Sequence, residues 1–355
     1  MLRCFIVSLS LVFLLLMGNY ASADILYIVA DLGTLGGQNS RALGINNNGW
    51  IVGESNLGNG YSHAFVYKNG TMIDLGTLQN YPNSSATDIN DNGQIVGGLS
   101  TGQGEYRAFL HSDGVMTDLG LERGSASAIN SSGQIVGQYR PLGTTATLAF
   151  LYDGGSVTGL GTFGGYYTAA YDINDAGQIV GQAEYADCSR SGFLYDSGTM
   201  TPLTAFHSAS AINNNGSIGG NEKWLTGPFL DKNGTTTLLE LSGYDSGCVS
   251  SINNLGEAVG TFNDMLGGPP PNCGFVYRDG VVSDLNTLID PASDWWISDI
   301  YDINDSGWIV GTGENGAGNR HAILLIPVPE PSMVMLGAIG LCGMLMTWRP
   351  RSKAT

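Results

Sequence analysis

Acidic residues at regular spacings are the first candidates for chemistry in this sequence. The stretch "DINDNG" from Asp88 matches D-x-N-x-N-G, the first half of a helix-loop-helix calcium loop. That loop requires a bidentate Glu at its twelfth position, where this chain has Leu99, and the similar stretches at Asp172 and Asp302 lack the Glu as well. We therefore expect these residues to cap hairpins, and we predict no metal site and no cofactor.

Other titratable residues recur with the same regularity. An Asp is followed by Leu at four positions, Asp31, Asp74, Asp118 and Asp284. A structural hydrogen bond explains such a repeated acid better than catalysis does. His63 and His321 share one repeat position and are expected to be strand residues. No phosphate loop, nucleophile elbow or metal-binding histidine cluster is present, so we predict no catalytic residue.

Aromatic residues that depart from the regular pattern indicate a different chemistry. They are Tyr81, Tyr166, Tyr167, Trp224, Trp295 and Trp296. Aromatic rings with Asp and Asn nearby suit stacking on sugar rings, so we predict these six as ligand-binding candidates. Packing beneath their own loops is the alternative. A glycan-cleaving enzyme would instead need acids that converge, for which the candidates are Asp187, Glu222, Asp264 and Asp294.

A repeated unit must position all of these residues. The pattern I-N-x-x-G-x-[IA]-[VG]-G occurs seven times, beginning at Ile45, Ile89, Ile129, Ile173, Ile212, Ile252 and Ile303. Most copies are followed by an aromatic segment such as "HAFVY" and then by one such as "TMIDLG", with turns such as "NDNG" and "KNG" between them. Short β-type segments joined by Asn-Gly turns predict four antiparallel strands with two tight hairpins, which is one propeller blade.

The two ends of the repeat region indicate how the ring closes. The seventh unit lacks its fourth strand, whereas residues 25–37, "ILYIVADLGTLGG", form an additional copy of that strand. We predict an all-β, seven-bladed β-propeller over residues 24–327, with four antiparallel strands per blade and the N-terminal strand completing the last blade. The long connections should emerge on one face, which carries the aromatic candidates, and the tight hairpins on the other.

The chain ends are predicted to be targeting segments. Residues 1–23 have a basic start, an apolar stretch and small residues at Ala21 and Ala23, which indicates a secretory signal that signal peptidase cleaves before Asp24. Residues 328–355 contain Pro329, Glu330 and Pro331, an apolar segment and a basic end. This order resembles the PEP-CTERM sorting signal of Gram-negative bacteria. The resemblance implies a transient membrane anchor, through the C-terminal helix alone, and recognition by an exosortase-type enzyme.

The repeat units also resemble the HAF-repeat family of extracellular bacterial proteins, named for the tripeptide seen at His63-Ala64-Phe65. That resemblance implies an exported repeat protein without established chemistry. We expect a non-enzymatic binding or structural module of the cell surface or of the extracellular polysaccharide matrix. A propeller glycoside hydrolase or polysaccharide lyase acting on that matrix is the alternative.

Charge and cysteine content restrict the partners further. Residues 24–331 contain 10 Lys and Arg against 31 Asp and Glu, which leaves a net charge of −21 and argues against nucleic acid as a partner. We expect a monomer whose possible partner is extracellular polysaccharide. After signal removal and tail cleavage, Cys188, Cys248 and Cys273 remain. In an oxidising compartment we expect a Cys248–Cys273 disulfide, with Cys188 left free.

Overall fold

A computed structural model describes residues 27–222, 227–263 and 272–328. These residues form seven four-stranded antiparallel sheets arranged in a ring, so the predicted seven-bladed β-propeller is confirmed. Each tight turn contains a Gly with positive φ, as the Asn-Gly and Asp-Gly pairs predict. The one helical element among the described residues is a short 3-10 turn, η1 (Leu285–Thr287).

Six blades are built from consecutive strands. Blade 1 contains β2 (Ser40–Ile45), β3 (Ile51–Asn56), β4 (Ser62–Lys68) and β5 (Thr71–Gly76). Blade 2 contains β6 (Asn83–Ile89), β7 (Ile95–Ser100), β8 (Tyr106–Ser112) and β9 (Val115–Glu122). Blade 3 contains β10 (Ser125–Ile129), β11 (Ile135–Tyr139), β12 (Leu148–Asp153) and β13 (Ser156–Gly159).

The next three blades follow the same order. Blade 4 contains β14 (Gly164–Ile173), β15 (Ile179–Tyr185), β16 (Arg190–Asp196) and β17 (Thr199–Leu203). Blade 5 contains β18 (Phe206–Ile212), β19 (Ile218–Glu222), β20 (Pro228–Lys232) and β21 (Thr235–Leu238). Blade 6 contains β22 (Ser246–Ile252), β23 (Ala258–Asn263), β24 (Asn272–Arg278) and β25 (Val281–Asp284).

The seventh blade joins the two ends of the ring. It contains β26 (Trp295–Ile303), β27 (Ile309–Asn315) and β28 (Arg320–Pro327), with β1 (Tyr27–Asp31) as its outermost strand. Strand β1 pairs with β28 in antiparallel register from Tyr27 opposite Pro327 to Asp31 opposite Ile323. The N-terminal strand therefore completes the last blade, as predicted, and leaves no unpaired edge on β28.

The inner hairpin of each blade contains an irregularity that the sequence alone does not reveal. Every first strand has a register shift just before its Ile-Asn pair, as between Ala86 and Asp88 in β6. The second strand contributes a Gly opposite this bulge. A Cβ atom on Gly97 would lie 2.0 Å from the Ser85 carbonyl oxygen, and the other six copies are equally close. The last residue of the repeat must therefore be Gly, because the backbone of the first strand leaves no room for a Cβ atom.

Hydrogen bonds around the central channel join all seven blades. The Asn of each Ile-Asn pair donates from Nδ2 to the backbone oxygen of the same Asn in the next blade, at 2.9–3.2 Å. The ring closes where Asn304 donates to Asn46. Because these Asn side chains are buried and each also accepts backbone N–H bonds within its own turn, the Asn is a structural requirement of the ring.

The hydrophobic core lies between neighbouring blades. The aromatic residue of the third strand is fully buried in most blades, as Phe65, Phe109, Phe150, Phe193 and Phe275 show. The fourth strand of blade 6 is shorter than its repeat segment, "VVSDLNTL" at residues 281–288. It ends at Asp284, whose carboxylate accepts the Asn286 N–H at 2.7 Å and caps the 3-10 turn. Within the described ranges no helix is long and apolar enough to cross a membrane.

Candidate functional site

Three of the acids in the calcium-like stretches line the central channel. Asp88 accepts the N–H of Ile89 at 2.7 Å and that of Ile129, in the next blade, at 2.8 Å. Asp172 accepts the corresponding N–H groups of Ile173 and Ile212, both at 2.8 Å. The bulge turns these side chains toward the axis, where each carboxylate joins two blades. These carboxylates therefore join neighbouring blades, and the expected hairpin cap is supplied instead by the Asn two residues later, as Asn90 accepts the N–H groups of Asn92 and Gln94.

Asp302 is the third carboxylate of this kind. It accepts the N–H groups of Ile303 and Ile45, both at 2.8 Å, and the Ser251 hydroxyl at 2.6 Å. Three carboxylates in blades 2, 4 and 7 thereby serve the Ile N–H groups of six blades in adjacent pairs. The one blade that these carboxylates do not serve is blade 6, which has Ser251 at the position of the Asp.

Burial dominates the electrostatics of these carboxyl groups. Loss of solvation raises the pKa of Asp88 to about 6 and the pKa of Asp172 and Asp302 to about 7, against the backbone hydrogen bonds that favour the charged form. Repulsion from Asp88 adds to the increase for the other two. Among the described residues no group of three or more His, Cys, Asp or Glu side chains is arranged to hold a metal ion.

The recurrent Asp-Leu pairs and the repeated histidines are structural partners. The His63 ring nitrogen Nδ1 lies 2.9 Å from the Asp74 carboxylate on the neighbouring strand, and His321 lies 3.0 Å from Asp31 in the same way. Each of the four Asp residues also accepts a backbone N–H two residues later, at 2.7–2.8 Å. The prediction of a structural hydrogen bond is confirmed.

The five aromatic candidates that the structure describes lie on the predicted loop face but on different blades. Trp295 packs against the core of blade 7, and Trp296 donates from Nε1 to the Asn272 carbonyl oxygen at 3.1 Å. Tyr81 accepts from Arg107 at 3.1 Å. Tyr166 is 71% exposed, whereas its neighbour Tyr167 donates to Gln138 at 3.3 Å. Trp224 lies outside the described residues.

A depression crosses the loop face over blades 7, 1, 2 and 3. It consists of three adjoining cavities of about 290, 400 and 420 Å³. Glu54 lines both the first and the second, and Tyr106 and Ser125 line both the second and the third. We call this feature the loop-face groove. Its lining consists mainly of hydroxyl, amide and charged side chains, with the half-exposed Tyr106 ring at its middle.

Two of the aromatic candidates lie just beyond the ends of this groove. At one end Arg320 pairs with Asp299, and Asp299 accepts a hydrogen bond from Asn272, the residue whose carbonyl oxygen holds Trp296. At the other end Gln138 lines the third cavity and accepts the hydrogen bond from Tyr167. The structure therefore connects Trp296 and Tyr167 to one groove, although it does not bring them together.

The sequence analysis missed the residues that give the groove its charge. Four arginines line it, Arg41, Arg123, Arg140 and Arg320, together with the one acid Glu54. They come from three blades and lie as far as 279 residues apart in the chain. Each arginine lies at the loop-face end of a strand or in a loop-face connection. Their positions in the repeat could therefore have placed them on the loop face.

The acids proposed for a hydrolase or lyase are dispersed. Asp187 lies in the β15–β16 connection of blade 4 and accepts the Ser189 N–H at 2.9 Å. Glu222 ends β19 in blade 5, and Asp294 precedes β26 in blade 7. None of these three lines the loop-face groove. Asp264 lies outside the described residues.

The expected Cys248–Cys273 disulfide is not formed, and all three described cysteines are free. Cys248 lies on β22 opposite Thr261, and Cys273 lies on β24 opposite Phe262. Strand β23 separates the two cysteines, and because Thr261 and Phe262 are consecutive, the thiols point to opposite faces of the sheet. Two strand spacings, about 9–10 Å, exceed the reach of a disulfide. The prediction was wrong because it treated β22 and β24 as neighbouring strands, although β23 lies between them.

Comparison with known proteins supports the fold alone. No family model and no curated protein matches this sequence. A puromycin-hydrolysing peptidase from Mycobacterium tuberculosis is similar with a TM-score of 0.53 and 10% identity, over 86% of this chain and 53% of that one. For an acylaminoacyl peptidase from Pyrococcus horikoshii the TM-score is 0.51 and the identity 12%, over 89% and 55%. This chain thus matches only about half the length of each peptidase. At such identities the likeness indicates a propeller scaffold and carries no information on chemistry.

Proposed function

We propose that this protein is an exported, non-enzymatic module that binds extracellular polysaccharide through the loop-face groove. The observation that carries the proposal is the groove itself, a row of three cavities over four blades in which neighbouring cavities share lining residues and the half-exposed Tyr106 lies between the second and the third. Pyranose rings present hydroxyl groups and flat apolar faces, and a lining of hydroxyl, amide and aromatic groups complements both.

The length of the groove favours a polymer over a single small molecule. Each of the three cavities has about the volume of a small-ligand pocket, and neighbouring cavities share lining residues. Residues that belong to rigid strands on four blades line the path. Such a scaffold holds its contacts in place before the ligand arrives, which lowers the entropic cost of binding.

Binding is favoured over cleavage by the placement of the acids. A glycosidase of the usual kind positions two carboxyl groups on either side of the scissile bond, roughly 5–10 Å apart. The groove is lined by one described acid, Glu54, which is paired with Arg41. The signal segment and the Pro-Glu-Pro tail complete the proposal. They would deliver the protein through signal peptidase and an exosortase-type enzyme to the surface or matrix of a Gram-negative cell.

The test is a glycan-array and pull-down screen of purified residues 24–328, which contain every described strand of the ring. Tyr106→Ala should weaken binding at least tenfold, because it removes the aromatic surface that two cavities share. Tyr61→Ala is the matched control. Tyr61 is 46% exposed against 50% for Tyr106 and, although its neighbour Ser62 lines the second cavity, it is not itself a lining residue. A folded wild-type protein that retains no glycan would overturn the proposal.

A further inference from the structure

Three loop-face arginines have no acidic partner, although residues 24–331 contain 31 Asp and Glu against 10 Lys and Arg. Of the seven described arginines, four pair with a carboxylate within 4 Å, namely Arg41, Arg107, Arg278 and Arg320. Within the described ranges no carboxylate lies that close to Arg123, Arg140 or Arg190. Arg190 lies over the Tyr167 ring at 4.7 Å. That leaves Arg123 and Arg140 as exposed guanidinium groups without a stacking or ionic partner.

Arg123 and Arg140 line the same cavity, the 420 Å³ end of the loop-face groove between blades 2 and 3. The Arg140 side chain makes one long hydrogen bond, from Nη2 to the Thr147 hydroxyl at 3.4 Å, so most of its donors are unused. Gln138 and Tyr106 line the cavity as well. Two planar guanidinium groups present paired N–H donors whose spacing matches the two oxygens of a carboxylate.

The backbone at Arg123 has a conformation that its side chain does not favour. Its φ of 49° lies in the left-handed region, which is unfavourable for a non-glycine residue. Most other described non-glycine residues with positive φ are Asn or Asp, which tolerate this region. A glycine would suit the position better. The arginine is therefore retained at a local cost in stability, which points to a role for its side chain.

We propose that Arg123 and Arg140 form a carboxylate subsite, so that the polysaccharide bound in the groove is an acidic one built with uronic-acid residues. This inference rests on the proposed function and specifies its ligand. The subsite takes the carboxylate of one sugar, and Gln138, Thr147 and the Tyr106 ring contact its hydroxyl groups and apolar face. Because the protein as a whole repels anions at long range, recognition depends on these short-range contacts.

The experiment compares uronic-acid oligosaccharides with their methyl esters, which have the same sugars without the charge. The probes are hexamers of galacturonate, glucuronate and alginate-type uronates, each in acid and esterified form, titrated into purified residues 24–328 by calorimetry. We expect at least one acid hexamer to bind at least tenfold more tightly than its ester. Arg123→Gly and Arg140→Gln should each remove most of that preference and leave the affinity for the ester nearly unchanged.

Two controls separate loss of the subsite from loss of fold or charge. Arg123→Gly should unfold at or above the wild-type temperature, since glycine suits a φ of 49°. Lys232→Gln removes one positive charge from the β20–β21 turn on the opposite face and should leave binding unchanged.

Each remaining outcome overturns the inference in a distinguishable way. Equal affinity for acid and ester, or binding of neutral glycans alone, would refute the carboxylate subsite but leave the glycan-binding function intact. Failure to bind any glycan would refute both. If inorganic phosphate competes as well as the hexamer does, the two arginines take any small anion and the sugar assignment is wrong.

Discussion

Asp88, Asp172 and Asp302 show how an irregular set of residues serves a regular ring. Each carboxylate accepts N–H groups from its own blade and from the next, so an Asp in every blade would place two acceptors on each N–H and seven charges around one channel. Three Asp residues, in blades 2, 4 and 7, satisfy six of the seven Ile N–H groups with fewer acids. Sequence reasoning assigned these residues to hairpin capping, a role that the Asn two residues later performs instead. It could not find their second partners, because those lie 40 or more residues away.

The raised pKa values make the stability of the ring depend on pH. The pKa of Asp172 is about 7 in the folded protein and about 3.8 in the unfolded chain, so between these values the folded state holds a proton that the unfolded state has released. The stabilising contribution of this group is complete below about pH 4 and is lost as the pH rises through about 7.

We therefore expect the wild-type protein to lose free energy of unfolding between about pH 5 and pH 8, and Asp172→Asn to lose about 1–2 kcal/mol less over that interval. Chemical denaturation at a series of pH values measures both curves. Asp113→Asn, at an exposed turn where Asn suits the φ of 53°, removes one charge elsewhere and should follow the wild type. Parallel curves for wild type and Asp172→Asn would show that the channel carboxyl ionises normally.

The inner hairpin illustrates what the sequence predicts of an element and what it leaves out. The Asn-Gly turns and the alternating apolar residues predicted the positions of nearly all strands, because both signals are local. The bulge in each first strand was not predicted, since it depends on contact with the second strand. The last Gly of the repeat follows from that bulge.

This close approach predicts a large effect for a very small substitution. In Gly97→Ala the new methyl group would lie 2.0 Å from the Ser85 oxygen and 2.9 Å from the Phe109 ring, so strands β6 and β7 must separate. We expect a loss of at least about 3 kcal/mol in the free energy of unfolding, measured by denaturant titration.

Gly159→Ala is the matched control for that substitution. A Cβ atom there meets nothing within 4 Å and the backbone is in an ordinary region, so the change should be neutral or stabilise by up to about 1 kcal/mol. A Gly97→Ala variant with the wild-type unfolding midpoint would contradict this prediction, because it would show that strands β6 and β7 accommodate the methyl group.

The groove is a property of the whole ring, and for that reason sequence reasoning found only its surroundings. The loop face that the sequence predicted contains this groove, and Tyr167 and Trp296 lie next to the ends of the groove. Arg41, Arg123 and Arg320 become neighbours of one path only after the chain has closed through β1. No local pattern of residues encodes that proximity.

Closure itself leads to the last prediction. Strand β1 reaches blade 7 from the opposite end of the chain, yet its pairing with β28 has the geometry of an ordinary hairpin. Tyr27 lies opposite Pro327. In blade 1, Lys68 lies opposite Thr71, and Asn69-Gly70 joins them. An Asn-Gly linker between Pro327 and Tyr27 should therefore form the missing turn without distorting either strand.

A circular permutant that begins at Gly37, joins Pro327 to Tyr27 through Asn-Gly and ends at Gly36 should fold with a melting temperature within a few degrees of the wild type. Deletion of residues 27–31 should instead expose the β28 edge and leave a gap where Tyr27 is buried, giving a protein that aggregates or unfolds without a cooperative transition. Thermal denaturation and size-exclusion chromatography distinguish the two. The circular permutant breaks the connection between β1 and β2 but keeps strand β1, whereas the deletion variant lacks β1. A difference in stability between the two would therefore show that the strand, and not its connection to β2, closes the ring. A deletion variant as stable as the wild type would show that three strands suffice for the seventh blade.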